Sequence, residues 1–178
     1  MDNSGFFDGK PEAKYGEFWH YLSKPQKDLI LEGNFLLNDI LKQTEYTFQD
    51  YSFVVFPFAK AFEGYLKKIF LDAKFISHLD YISDHMRLGK LMSPHIAERL
   101  GDRSLYTQLK NHANDDLADI IWDTWRLGRN EIFHYFPHNL RSVSFSQAEE
   151  IIHQIMLTMQ KTYISLKPIL KKDLAIAS

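Results

Sequence analysis

The sequence predicts an all-α fold: three or four long helices packed as a bundle, with shorter helices inserted between them. Three observations predict it. Long stretches carry apolar residues at helical spacing, proline, serine and glycine stand where helices start and stop, and no two segments alternate apolar and polar residues as paired strands do. Aromatic residues make up 15% of the 178 residues, enough burial for one well-packed domain.

Residues 1–24 read as a loose N-terminal arm. Gly5, Gly9, Pro11 and Gly16 punctuate it, and one turn of helix is expected around 18–22. The helical domain is expected over 25–178. Pro25 suits a first helical position, and Leu29, Ile30, Gly33, Leu36, Leu37, Ile40 and Leu41 give helical spacing over 25–44. Asp50 is placed to cap the next segment. From 51 to 71 apolar residues occur almost all round, the mark of a central helix, and Pro57 is expected to kink it.

Residues 73–92 are less regular, with a short helix before Gly89. Ser93-Pro94 opens another that stops at Gly101, and Leu105, Tyr106 and Leu109 mark the next. Asn114 or Asp115 caps the helix bearing Trp122 and Trp125, and residues 136–139 break the chain around Pro137. Ser146 and Glu149 have the capping-box spacing for a final amphipathic helix. Ile152, Ile155, Met156, Met159, Tyr163 and Leu166 lie on one face of it, and Pro168 with Lys171-Lys172 is expected to close it.

Composition excludes several classes of chemistry. With no cysteine there is no disulfide, thiolate nucleophile or zinc–thiolate site. A net charge of -2 supplies no global field for nucleic acid, so any such binding rests on a local patch. No apolar run reaches membrane-spanning length and no basic-then-apolar leader opens the chain, so no membrane partner and a cytoplasmic location are expected. The phosphate-loop, dinucleotide and esterase-elbow motifs are absent. His20, His78, His85, His95 and His112 have no partner at a telling spacing. His134 and His138 are four apart, but Pro137 lies between them, so neither a metal site nor a cofactor is expected.

The stretch 129–134 stands out. Arg129 is followed by Asn130, and His134 comes five positions after the arginine. A helix end offers a plain explanation, since arginine suits the C-terminal dipole. Glu63 raises a second possibility, because it sits in the most apolar helix and a buried carboxylate there needs a cationic partner. That partner is Arg129 or His134, or else simply Lys67 one turn on. Arginine, histidine and a carboxylate suffice for RNA cleavage without a metal. Arginine offsets charge building on the phosphate, histidine moves protons, and the 2′-hydroxyl is the nucleophile.

Arg129-Asn130-x-x-x-His134 is similar to the signature of HEPN domains, an arginine followed by a polar residue and then a histidine. Residues 51–67, with Phe56-Pro57 followed by Glu63-Gly64, further resemble the HEPN domain of the RNase LS toxin type. The resemblance covers roughly 25–170. It implies a dimeric helical bundle and an endoribonuclease of toxin–antitoxin or anti-phage systems. Arg129, His134 and Glu63 would be catalytic and Asn130 supporting, with Lys67, Arg126 and His138 as candidate RNA contacts. RNA, a second copy of the chain and a cognate antitoxin are the partners it implies. The alternative within the same resemblance is a non-catalytic dimerisation module partnering a nucleotidyltransferase or another toxin–antitoxin component.

Overall fold

The central element is α3 (Ser52–Asp72). The computed structural model describes residues 11–41, 45–113 and 115–176, and among these every regular element is helical and none is a strand. Val54, Val55, Phe58, Ala61, Phe62, Tyr65, Leu66, Ile69 and Phe70 of α3 are buried. Each of the larger ones contributes roughly 1.5–3 kcal/mol of transfer free energy. The residues that α3 leaves wholly or partly to solvent include one stripe, Phe53, Phe56, Lys60, Glu63 and Lys67, at the three-and-four spacing of a single helix face.

α2 (Lys24–Phe35) and α9 (Phe145–Ile176) pack on α3. Gly33 of α2 permits the close approach, because a Cβ there would stand 2.5 Å from the Phe58 ring. On the α9 side the buried Tyr65 hydroxyl donates to the Met159 carbonyl at 2.8 Å. α8 (Asp115–Trp125) packs on α9, where Thr124 and Thr158 share a buried hydrogen bond of 2.8 Å. α7 (Leu105–His112) lies against α8, with Tyr106 and Lys110 both bonded to Asp119 at 2.6 and 2.7 Å. Between α3 and α7 run the short helices α4 (His78–Ile82), α5 (Leu88–Leu91) and α6 (Ala97–Leu100). Gly101 stops α6 at a positive φ of 53°, as expected of that glycine.

Several expectations need correction. The described part of the arm is not loose. α1 (Pro11–Tyr21) contributes Tyr15, Phe18 and Trp19 to the core, and Leu22 follows them. Their spacing is that of one helical face, obscured in sequence by Gly16, whose φ of 50° breaks the helix locally. α9, expected to close at Pro168, continues to Ile176, and α3 likewise continues past Pro57. The carbonyls that these prolines leave unpaired belong to Phe53 and Ile164, both exposed, so water can serve them. Pro168 therefore does not close α9.

The capping box of α9 also lies two residues earlier than expected. Ser144 accepts from the Gln147 amide at 3.2 Å, and the Gln147 side chain accepts from the Ser144 amide at 2.8 Å. The short helix expected before Gly89 is present as α4, and Gly89 itself falls inside α5. Residues 42–44 and Asn114 lie outside the described residues, so the expected end of the first long helix and that cap cannot be placed.

Candidate active site

The site is built by the open stripe of α3 and by the chain that leaves α8. That chain continues as a π-helical segment, Arg126–Glu131, which fits one more residue into the turn than an α-helix would. Gly128 is buried against α9, and a Cβ there would meet Ile155 Cδ1 at 3.0 Å. With Gly128 inward, Arg129 and Asn130 turn towards α3, while Arg126, Leu127 and Glu131 line a separate groove. Ile132 then anchors the chain in the core, and Phe133 and His134 follow in a bend.

Glu63, Arg129, Asn130 and His134 line one open cleft of about 530 Å³, together with Phe56, Ala59, Lys60 and Phe133. Arg129 Nη1 is ion-paired with Glu63 Oε2, and its guanidinium lies over the Trp125 ring, 5.2 Å from the centroid. The other Glu63 oxygen is 3.6 Å from Lys67 Nζ. Of the three partners that sequence left open for Glu63, Arg129 and Lys67 are engaged together and His134 is not. The side chains of Arg129 and Glu63 are 43% and 25% exposed, so the pair is reached by solvent and contributes at most about 1 kcal/mol. An incoming phosphate can thus replace the carboxylate at little cost. Among the described residues, the His134 and Asn130 side chains make no hydrogen bond, which leaves both open to a ligand.

A carboxylate outside the cleft fixes the loop that carries His134. Asp50 accepts from Asn139 Nδ2 at 3.0 Å and from the Val143 amide at 3.3 Å, as well as from the amide and hydroxyl of Ser52. Asp50 stands one residue before the N-cap of α3, which is Tyr51 and not Asp50 as expected, and from there it accepts from the first helical amide and ties the 132–143 loop to that helix. Burial acts to raise its carboxyl pKa. The bonds from Ser52, Asn139 and the Val143 amide outweigh burial and hold it below the ordinary carboxylate range.

The candidate RNA contacts divide. Lys67 lines an adjoining cleft of about 520 Å³ that also includes Glu63, Arg129 and Asn130. Arg126 turns into the separate groove, bonded to Glu131 at 2.8 Å and 3.8 Å from Asp123. His138 stands exposed on a 3-10 turn, Pro137–Asn139, at a φ of 59°, and does not line the Glu63 cleft. Sequence reasoning missed Lys60, Phe56 and Phe133 in the cleft. The first two were detectable, since they share the helix face of Glu63. Arg87 and Lys90, in the adjoining cleft, come from the irregular stretch and carried no signal.

Among the described residues no group of three His, Cys, Asp or Glu side chains is arranged to hold a metal ion. No helix among them is long and apolar enough to cross a membrane. Comparison with protein-family models, with curated proteins and with solved structures finds no match.

Proposed function

We propose that this chain is a metal-independent endoribonuclease of the HEPN type, acting as a toxin or in anti-phage defence. The observation that carries the reading is the single open cleft lined by Glu63, Arg129, Asn130 and His134. These are the residues singled out by spacing and resemblance, and they come from α3 and from the segment after α8.

In the proposed reaction Arg129 exchanges its Glu63 partner for the scissile phosphate. The 2′-hydroxyl oxygen attacks the adjacent phosphorus, its proton passes to a base, and the bond to the 5′-oxygen breaks as that oxygen takes up a proton. His134 serves one of these transfers as general base or acid. Arg129 offsets the negative charge that grows on the non-bridging oxygens. The products are a 2′,3′-cyclic phosphate and a 5′-hydroxyl. Asn130 holds the phosphate geometry, and Glu63 neutralises Arg129 when RNA is absent. A homodimer would set two such clefts together, and a cognate antitoxin would restrain them.

The test is RNA cleavage in excess EDTA by wild type, Arg129→Ala and His134→Ala. Cleavage by wild type alone, leaving cyclic phosphate ends, is the expected result. Activity that disappears with the chelator contradicts metal independence. No cleavage by wild type under any condition favours the non-catalytic module. Mixing Arg129→Ala with His134→Ala protomers tests the shared site, and full activity from wild-type monomers sinks it.

A further inference from the structure

The Glu63–Arg129 pair stands between two clefts that share Glu63, Arg129 and Asn130 in their walls. The two differ in chemistry. On the His134 side, Phe56 and Phe133 meet edge to face at 5.7 Å and remain 51% and 39% exposed. Lys60 Nζ lies 5.9 Å from the Phe56 ring centroid. Solvent-facing rings of this kind suit the face of an unpaired base, whereas a paired base keeps its faces within the duplex stack.

On the other side the walls hold four cations, Lys67, Arg87, Lys90 and Arg129, against two carboxylates, Glu63 and Asp84. Glu63 already serves Lys67 and Arg129. Arg87 donates to the Asp84 backbone carbonyl at 2.7 Å, a contact that directs the guanidinium without neutralising it. Among the described residues neither Arg87 nor Lys90 has a carboxylate within ion-pairing distance. This local positive excess stands in a chain whose net charge is -2. The segment bearing these cations is also fixed relative to Arg129. Gly89 lies so close to Trp125 that a Cβ would stand 2.6 Å from Nε1, and Trp125 is the ring beneath the Arg129 guanidinium.

We propose that the cleft lined by Lys67, Arg87 and Lys90 is a subsite for the backbone phosphate adjoining the scissile one. A single-stranded RNA then crosses the open stripe of α3, with one base against Phe56 and Phe133 and the neighbouring phosphate on Arg87 and Lys90. This rests on the ribonuclease reading above and adds to it a strand path, a preference for unpaired RNA and two positioning residues.

The test measures binding of a single-stranded 2′-O-methyl oligoribonucleotide, which lacks the attacking hydroxyl, over a range of salt. Cleavage of the matching RNA is followed in parallel. Arg87→Ala/Lys90→Ala is compared with Lys24→Ala/Lys161→Ala, which removes the same charge from positions lining neither cleft. The first double variant is expected to lower the salt slope by about 0.7, the value for one lost single-strand phosphate contact. Its KM should rise about tenfold with kcat within about twofold, while the control keeps the wild-type slope. Phe56→Ala is expected to weaken single-strand binding about tenfold and leave duplex binding as it was.

Equal slopes for the two double variants overturn the phosphate subsite, and unchanged binding by Phe56→Ala overturns the base contact. Arg87 and Lys90 are exposed, and matching unfolding temperatures verify that their replacement leaves the fold intact. Wild type that binds the oligonucleotide with the expected slopes but leaves RNA uncut removes the catalytic reading and retains the strand path. Wild type that cuts RNA with slopes insensitive to Arg87 and Lys90 removes the strand path alone.

Discussion

Asp50 and Asn139 are joined by a 3.0 Å hydrogen bond that fastens the start of α3 to the loop carrying His134. Replacing Asp50 with alanine removes that bond together with the contacts to Ser52 and Val143. The expected loss is about 1–2 kcal/mol of stability, the range for a lost helix cap. RNA cleavage should fall by about tenfold or more as His134 loses its placement. Denaturant unfolding and single-turnover cleavage measure the two effects, and a stability loss with cleavage unchanged contradicts the tie.

The same carboxylate makes stability depend on pH. Its folded pKa lies below its unfolded value of about 3.9, so the unfolded chain binds more protons as pH falls through this window. Its contribution is complete above that unfolded value and disappears as pH drops through the lowered folded one. In Asp50→Asn this contribution is missing, so the stability gap to wild type should narrow below about pH 4. Denaturation midpoints from pH 7 to pH 2.5 check the sign.

Glu63→Gln removes the charge that occupies Arg129 in the resting cleft. Binding of an uncleavable RNA should tighten about two- to fivefold, the range implied by an exposed ion pair of about 0.5–1 kcal/mol. Arg129→Lys should cleave RNA no more than about tenfold faster than Arg129→Ala, because an ammonium cannot make the paired contacts of a guanidinium. Binding isotherms and kcat measured together separate the two roles.

Thr124 and Thr158 bridge α8 and α9 where both are buried. Either single replacement by valine should cost about 1–2 kcal/mol by stranding the other hydroxyl. The double replacement should cost less than the sum, and a double-mutant cycle gives the coupling. Gln154, 3.3–3.4 Å from both hydroxyls, reduces the single penalties if it takes over the lost bond.

Gly89→Ala should disturb the site from below. The added methyl would stand 2.6 Å from Trp125 Nε1, so the ring must shift, at a cost of about 1–3 kcal/mol. Because Arg129 rests on that ring, KM for RNA should rise as well. Thermal unfolding and steady-state cleavage read the two consequences.

Much of this was legible in sequence, for identifiable physical reasons. α3 announced itself because residues buried nearly all round leave an unbroken apolar run. Gly101 marked a boundary through turn chemistry that acts locally. α1 was harder, because Gly16 breaks the helix in the middle of an apolar face formed by Tyr15, Phe18, Trp19 and Leu22. Pro168 was misleading because the cost of a proline in a helix depends on whether the unpaired carbonyl faces water, which tertiary packing decides. At the site, Glu63, Arg129, Asn130 and His134 could be named from residue type and spacing, whereas Arg126 faced elsewhere because its direction depends on the π turn.

That π turn has a consequence for how the chain can change. Each residue advances an α-helix by about 100°, so the extra residue in Arg126–Glu131 sets the phase of everything after it. Deleting one residue from this segment would restore regular winding and rotate Arg129 away from α3 while leaving the composition of the site almost untouched. Substitutions at Arg126, Leu127 or Glu131 leave that phase unchanged, but a change of length dismantles the cleft, so these three positions should tolerate variation in identity far better than the segment tolerates variation in number.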